Sequence, residues 1–384
     1  EYRSRVQKLV QSAFAGKPKD IISQSVAKAL YGEVSPYSAT RLERFAACAF
    51  AHFLQYGMKL TERVEYEFKP MDMGNVMHEA LESFAEEVRK RGMKWTELTE
   101  QERNEIADRC LDNIVADYGN TVLKSSARNE YMIERTRRIL RRTVWALQKQ
   151  LEQGEFQPEG FEVTFGGGRI DRVDIMEDQN KVYVKVIDYK TGNTSFDLVY
   201  LYHGLQLQLM IYLDGALRVE QKKYPDKEII PAGVFYYNIK DPMIQEKIDA
   251  DVEAVSAGLM KELKMNGLVQ ADPELVYRMD SSLGSIPVAF NKDGSFRKNS
   301  SVADRTQFAV LGRYVRTKIE KIRSSILEGD AEVSPYELGK KNACTYCPYM
   351  TVCGFDRRLS GYEFRRLKNF SDEELWKAFD REAE

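Results

Sequence analysis

Two stretches, Gly168-Arg-Ile-Asp-Arg-Val-Asp-Ile175 and Val186-Ile-Asp-Tyr-Lys-Thr-Gly192, decide how this chain is read. Both mix Val and Ile with polar residues at the period of strands. With Phe161 to Phe165 they predict three strands, over 161–165, 169–176 and 181–189. Tight turns at Gly166-Gly167-Gly168 and at Glu177 to Asn180 would join them. Asp188 and Lys190 are two apart on one strand and so share a face. Asp171 lies on the preceding strand, where antiparallel pairing would bring it beside Asp188. Two carboxylates on neighbouring strands make a hard oxygen site, suited to Mg²⁺ or Mn²⁺ rather than to a soft metal. A lysine alongside can orient a water or help deprotonate it, which completes the parts for metal-assisted phosphodiester hydrolysis. Charges at strand ends are ordinarily solvated. These sit inside Val- and Ile-rich strands, where an unpartnered carboxylate is costly.

Working outward, helical periodicity marks a segment from Ser38, an N-cap candidate followed by Leu42, Phe45, Ala46 and Ala49. Further helices are predicted over Gly74–Arg91, 100–118, 129–152, about 199–218, 248–266 and 302–327. Ala232 to Ile239 reads as another strand. Residues 1–36 read as two short helices with a Gly-Lys-Pro-Lys break at 16–19. Residues 271–301 are polar, with Gly and Pro breaks, and look like an insertion. The order predicts an α/β fold with a small central sheet. His78, one of 3 histidines, falls on an amphipathic helix. Gln208 and Tyr212 are i,i+4 on an otherwise apolar helix and share a face.

Cys344, Cys347 and Cys353 form C-x2-C-x5-C, and Cys48 lies far upstream. Four such thiols suit Zn²⁺ or a [4Fe–4S] cluster, and spacing alone does not separate the two. Cys110 stands alone on a charged helix and reads as a free thiol.

Composition limits the remaining choices. The chain has 384 residues, 57 Lys plus Arg against 59 Asp plus Glu, and 5 cysteines. The balance excludes bulk-charge attraction to nucleic acid, so any such binding needs a local basic surface. Candidate surfaces are Arg135, Arg138 and Arg142 on one helix face, and Arg357, Arg358, Arg365 and Arg366 near the end. A disulfide scaffold is excluded by the low, odd cysteine count. No run of 18 apolar residues suggests a membrane span, and the cytoplasm is the expected location. The Gly166–Gly168 run precedes a strand rather than a helix, so it is not a phosphate cradle, and ATP is not expected to bind.

Taken in order, these segments resemble the RecB-family branch of the PD-(D/E)xK nucleases. They comprise a Cys-bearing helix, G-x-x-x-H (Gly74 to His78), G-x-I-D, D-Y-K-T, Q-x3-Y and C-x2-C-x5-C. Within that family they are similar to the nuclease domain that ends the B subunit of AddAB-type helicase–nucleases, over about residues 37–370. The segments 38–60, 74–84 and the basic stretch 355–369 carry the likeness further. Ala49 departs from it, since the family usually has Pro after the first cysteine.

The resemblance implies a PD-(D/E)xK restriction-endonuclease-like core, a small mixed sheet flanked by helices, with helical insertions. An Fe-S staple would join the N- and C-terminal segments. It implies residues 1–36 as a helical linker from an upstream helicase-like region, 37–370 as nuclease domain with an insertion at about 240–300, and 371–384 as a helical tail. The start at Glu1 is then read as that of an excised domain. His78, Asp171, Asp188 and the Tyr189 carbonyl would bind Mg²⁺ (or Mn²⁺), with Lys190 as catalytic lysine. Asp171 is preferred over Asp174 because it follows G-x-I. Gln208 and Tyr212 would support the site or the DNA strand, and Cys48, Cys344, Cys347 and Cys353 would hold a [4Fe–4S] cluster. The implied activity is a DNA exonuclease that processes double-strand break ends, with DNA and an AddA-like helicase–nuclease subunit as partners. The rival readings are a stand-alone CRISPR-associated RecB-like nuclease, usually much shorter, and a non-catalytic DNA-binding or assembly module.

Overall fold

A computed structural model describes residues 2–14, 21–32, 38–61, 70–117, 126–166, 168–244 and 251–383. The helices are α1 Tyr2–Phe14, α2 Gln24–Tyr31, α3 Ala39–Ala47, α4 Ala49–His52, α5 Pro70–Lys90, α6 Glu100–Asp117, α7 Ala127–Glu152, α8 Leu198–Tyr202, α9 Gln208–Lys223, α10 Val252–Glu262, α11 Pro273–Met279, α12 Arg305–Glu328, α13 Met350–Cys353 and α14 Asp372–Ala383. The strands are β1 Gln157–Phe165, β2 Gly168–Asp178, β3 Lys181–Lys190, β4 Glu228–Asn238, β5 Asn266–Gln270, β6 Val302–Ala303, β7 Tyr336–Leu338, β8 Lys341–Asn342 and β9 Arg365–Arg366. No helix among the described residues is long and apolar enough to cross a membrane. The Gly-Lys-Pro-Lys break lies outside the described residues.

The chain divides into two units. One comprises residues 64–197 and 209–309, the other residues 1–63, 198–208 and 310–384. The first unit holds a six-stranded mixed sheet in the order β1-β2-β3-β4-β5-β6. β1, β2 and β3 form an antiparallel meander, and β4 lies parallel to β3. The meander follows from alternation and tight turns: Phe165 pairs with Gly168 and Asp178 with Lys181. Val76, Leu81 and Phe84 of α5, Ile106 and Leu111 of α6 and Leu140 and Leu147 of α7 share one apolar core with Tyr183, Ile187, Phe235 and Tyr237 of the sheet.

Two differences from the sequence reading have physical causes. The single helix expected over 199–218 is broken into α8 and α9, and Gly204 in the break has φ of 78°. A side chain there would be strained, so glycine allows the chain to turn. The helix expected over 248–266 ends at Glu262 and residues 266–270 form β5, while within 271–301, read as an insertion, Pro273–Met279 form α11. The five-residue Asn-Gly-Leu-Val-Gln strand is too short to show a period. Gly267 fits there because an added Cβ would lie 1.9 Å from the Val234 carbonyl oxygen.

The second unit contains α3, α4, α8, α12 and α14 and a small sheet ordered β8-β7-β9. Ser38 caps α3, its hydroxyl accepting from the Arg41 N–H. Glu43 accepts the N–H groups of Leu207 and Gln208, which satisfies donors at the start of α9.

Candidate metal centre

The meander sets three carboxylates in a row. Phe161 pairs with Arg172 and Val163 with Ile170, so Glu162 lies opposite Asp171. Arg172 pairs with Ile187, and the next antiparallel position places Asp171 opposite Asp188. The ladder gives way there: Asp171 Oδ2 accepts the Tyr189 N–H at 2.7 Å. His78, on α5, brings Nδ1 to 3.4 Å from Asp171 Oδ2 and 3.6 Å from Glu162 Oε1. Ligand atoms of His78, Glu162 and Asp171 all lie within 4.8 Å of one another.

Asp188 is 1% exposed, and its Oδ2 lies 2.6 Å from Lys190 Nζ. Burial first, and the neighbouring Asp171 charge second, push the Asp188 carboxyl up to about 7, against the pull of Lys190. Burial disfavours the charged form of His78, yet its hydrogen bonds to Asp171 and Glu162, which accept from the ring, raise it to about 10. The centre thus sets like charges together, with the His78 imidazole beside them. Oxygen donors with one imidazole are the donor set for a hard divalent cation, so these residues fit the metal the sequence implies. Lys190 lies over the Tyr236 ring, 5.4 Å from its centroid.

The structure separates Asp171 from Asp174. Three residues apart on a strand, they project to opposite sides. Asp174 is fully buried and forked by Arg172, at 2.5 and 2.9 Å, with Lys185 at 2.9 Å. Burial would raise Asp174, but Arg172 and Lys185 hold it below the ordinary carboxylate range. The Arg172 guanidinium also lies over the Trp95 and Phe161 rings, which themselves stack. Asp174 therefore belongs to a core ion network.

Glu162 is absent from the sequence reading. Phe-Glu-Val-Thr-Phe there shows only alternation, with Glu162 on the polar side of an edge strand. Its signal was in the register: counting back from the Gly166–Gly168 turn sets Glu162 across from Asp171. In the structure its side chain is 6% exposed and also pairs with Arg169. Its φ is 49°, a strained value for a non-glycine residue beside a site.

The Tyr189 backbone faces the centre through its N–H, while its ring is edge-on to His78 and to Tyr237. Tyr212 packs edge-on against Phe165, and an added Cβ on Gly168 would lie 3.6 Å from its ring. The Q-x3-Y pair is divided: Tyr212 belongs to the unit that carries the centre, and Gln208 to the other.

The cysteines converge in the second unit. Cys48, Cys344, Cys347 and Cys353 line one pocket whose other walls include Phe50, Ala51, Val333, Pro335, Tyr349 and Phe355. Cys48 sits in extended backbone between α3 and α4 and is 8% exposed. Asn342 opens the opposing loop by accepting the N–H groups of Cys344 and Thr345. Tyr349 packs with Cys48, Ala51 and Leu54 and donates its hydroxyl to the Leu60 carbonyl. All five cysteines are free. Burial and the three neighbouring thiols push Cys344 up to about 12. Four sulfurs crowded in an apolar pocket fit a thiolate-bound metal centre. Cys110 stands apart on α6, buried, its thiol raised to about 11 chiefly by burial.

Two comparisons bear on this geometry. The family described as the PD-(D/E)XK nuclease superfamily matches residues 36–354. A protein of Lachnoclostridium phytofermentans, named as the B subunit of an ATP-dependent helicase/deoxyribonuclease, is 42% identical over 100% of this chain and 35% of its own length. Proteins of the same name from a Thermoanaerobacter species and from Alkaliphilus metalliredigens are each 34% identical, with the same coverage. The chain thus spans about a third of the length of the curated relatives it matches. With the family match running through both carboxylate strands and the cysteine loop, the chain belongs to the PD-(D/E)XK nuclease superfamily, whose members are metal-dependent nucleases.

Proposed function

We propose that this chain is a Mg²⁺-dependent deoxyribonuclease domain that degrades DNA at double-strand break ends for recombinational repair. The observation that carries the reading is the row Glu162–Asp171–Asp188, flanked by His78 and Lys190. Glu162 joins His78, Asp171, Asp188 and the Tyr189 backbone as the residues that would hold the cation. When bound, the cation supplies charge stabilisation at the scissile phosphate and acidifies a water. Lys190, held 2.6 Å from Asp188, orients the attacking water and assists its deprotonation. Asp188, raised to about 7 by burial and by Asp171, gives up its proton to hold the cation. Asp171 fixes β2 against β3 through the Tyr189 N–H, so both carboxylates keep their spacing. Tyr212 braces the β1–β2 hairpin through Phe165, and Gln208 is assigned to the DNA strand.

The four cysteines are assigned to a [4Fe–4S] cluster that fastens the segment around Cys48 to the segment around Cys344–Cys353. The relatives' names support DNA as substrate and an AddA-like helicase–nuclease subunit as partner of the longer protein. The proposed domain limits are 37–370 for the nuclease, with 1–36 and 371–384 as helical flanks. Of the basic surfaces, Arg138 and Arg142 both lie against Asp241, and Arg358 is paired with Asp356. Arg366, 79% exposed, also has a partner, Glu337 at 3.8 Å, and is kept as a candidate for phosphate.

The deciding experiment incubates the full chain with linear single-stranded DNA and Mg²⁺, without ATP. Cleavage that EDTA abolishes supports the reading. Intact DNA with a correctly folded, cluster-loaded chain overturns it.

A further inference from the structure

The segment 271–301 has no part in the centre described above, yet it builds a distinctive surface. Asp272 accepts the N–H groups of Glu274 and Leu275, and Pro273 opens α11. That helix presents Tyr277, 48% exposed, to solvent. The Tyr277 ring stacks on Phe290 with centroids 5.1 Å apart and planes 14° from parallel. Phe290 in turn meets Phe296 at 4.8 Å, across a hairpin closed by a Phe290–Phe296 bridge. Phe290 and Phe296 pack on the apolar core, so the outermost ring rests on a rigid base.

Three exposed cations lie on the same hairpin as Phe290 and Phe296: Lys292, Arg297 and Lys298. Among the described residues none of the three has a carboxylate within ion-pair distance. Arg297 donates Nε to the Phe290 carbonyl, which ties its guanidinium to the backbone of the residue that carries the Tyr277 ring. The acids nearby in sequence do not cancel them. Asp293 is turned into its own loop, accepting from the Ser295 N–H and hydroxyl. Glu274 lies one turn before Tyr277 on α11.

An exposed aromatic face with unpaired cations beside it matches a flexible polyanion that carries planar rings, which is single-stranded nucleic acid. Duplex DNA hides its base faces, and an acidic peptide would use the cations without the ring. We propose that Tyr277, with Lys292, Arg297 and Lys298, forms a stacking platform for a base of the single-stranded DNA substrate. The substrate class rests on the nuclease reading above.

The platform lies at the end of the sheet remote from the carboxylates. Arg278, next to Tyr277, pairs with Asp178 at the β2–β3 turn, 3.1 Å away. From Lys181 to Asp188 along β3 is roughly 23 Å at the rise of a strand. A strand held at both places must therefore span at least that distance, several nucleotides even when extended to roughly twice the duplex rise.

The test measures binding of fluorescein-labelled oligodeoxythymidylate to the full chain in EDTA, by anisotropy. Tyr277→Ala should weaken binding of a strand of about 20 nucleotides by roughly tenfold. Tyr277→Phe should bind as wild type. Replacing Lys292, Arg297 and Lys298 by Gln should lower the salt slope by about 2. Irradiation with a 5-iododeoxyuridine strand should cross-link Tyr277. Equal long-strand affinity for Tyr277→Ala and wild type overturns the platform, as does absence of wild-type binding. The two readings fail separately. A chain that binds through Tyr277 but never cuts in Mg²⁺ sinks the nuclease reading and keeps the platform. A chain that cuts, with Tyr277→Ala binding undiminished, does the reverse.

Discussion

Asp171 and Tyr189 are joined by a side-chain-to-backbone hydrogen bond of 2.7 Å at the point where the β2–β3 ladder stops. The bond takes the place of a ladder bond, so a carboxylate is held by the sheet itself. It leaves the other oxygen of Asp171 for a cation, and it keeps Asp171 and Asp188 on one rigid frame.

Lys190→Ala should reduce cleavage by about 10²–10⁴-fold, the range for a lost group that handles protons, while divalent-metal binding persists. Asp188→Ala should lose cleavage and also weaken metal binding. Full Mg²⁺-supported activity in either variant, in a single-turnover assay, would remove these residues from the centre.

Glu162→Gly separates function from stability. Glycine accepts the φ of 49° that Glu162 holds under strain, and the row of carboxylates loses one member. The variant should melt no lower than wild type, yet bind the activating metal about 10–100-fold more weakly. A fall in melting temperature with unchanged metal affinity would show that Glu162 is structural.

Metal binding should release protons in a pH-dependent number. His78, raised to about 10, is protonated at pH 8, and ligation requires its neutral ring. Asp188, raised to about 7, is mostly ionised at pH 8 and mostly protonated at pH 6. Titration calorimetry in buffers of different ionisation enthalpy should therefore find about one proton released at pH 8 and nearly two at pH 6. A count of zero at pH 8 would show that the His78 ring is already neutral before the metal binds.

Acid should weaken the second unit through His52. Its fully buried ring is lowered to about 3, first by burial and then by Arg41, which donates Nε to His52 Nε2 at 3.2 Å. The unfolded chain takes up that proton near 6.5 and the folded one near 3, so stability falls as pH drops through this window. The slope from this residue is at most about 1.4 kcal/mol per pH unit. Urea melts between pH 7 and 4.5 should show a shallower acid loss in His52→Phe than in wild type. An equal slope would place the acid sensitivity elsewhere.

Cys48→Ala should bleach an absorbance band near 400 nm, lower the melting temperature and weaken DNA binding. Cys110→Ala should do none of these. A cross-link between Cys48 and Cys344 closes a loop worth roughly 5–6 kcal/mol by chain entropy, as an upper bound. Loss of the band in Cys110→Ala, or its survival in Cys48→Ala, would overturn the four-cysteine assignment. A colourless chain that binds Zn²⁺ would replace iron–sulfur by zinc.

Alternation along 161–189 was enough to predict the meander, and the spacing of Asp188 and Lys190 was enough to put them on one face. Both are local properties, because side-chain direction in a strand depends only on position along it. A metal site drawing Cys48 to the C-x2-C-x5-C loop was legible from residue type and spacing, and the family resemblance chose iron–sulfur over zinc. Glu162 went unseen because the alternation of its strand does not distinguish a solvated carboxylate from one turned to a metal.

By itself the sequence determined the α/β order of elements, the strands that bear Asp171, Asp188 and Lys190, and the thiols available for a metal centre. Only the tertiary structure decided that Asp174 is spent on Arg172 and Lys185, and that Glu162 completes the row with His78. Only it placed Cys48 in one pocket with Cys344, Cys347 and Cys353. The reason is physical. Periodicity encodes which way a side chain points, whereas its partner is set by strand register and by packing between residues distant in sequence.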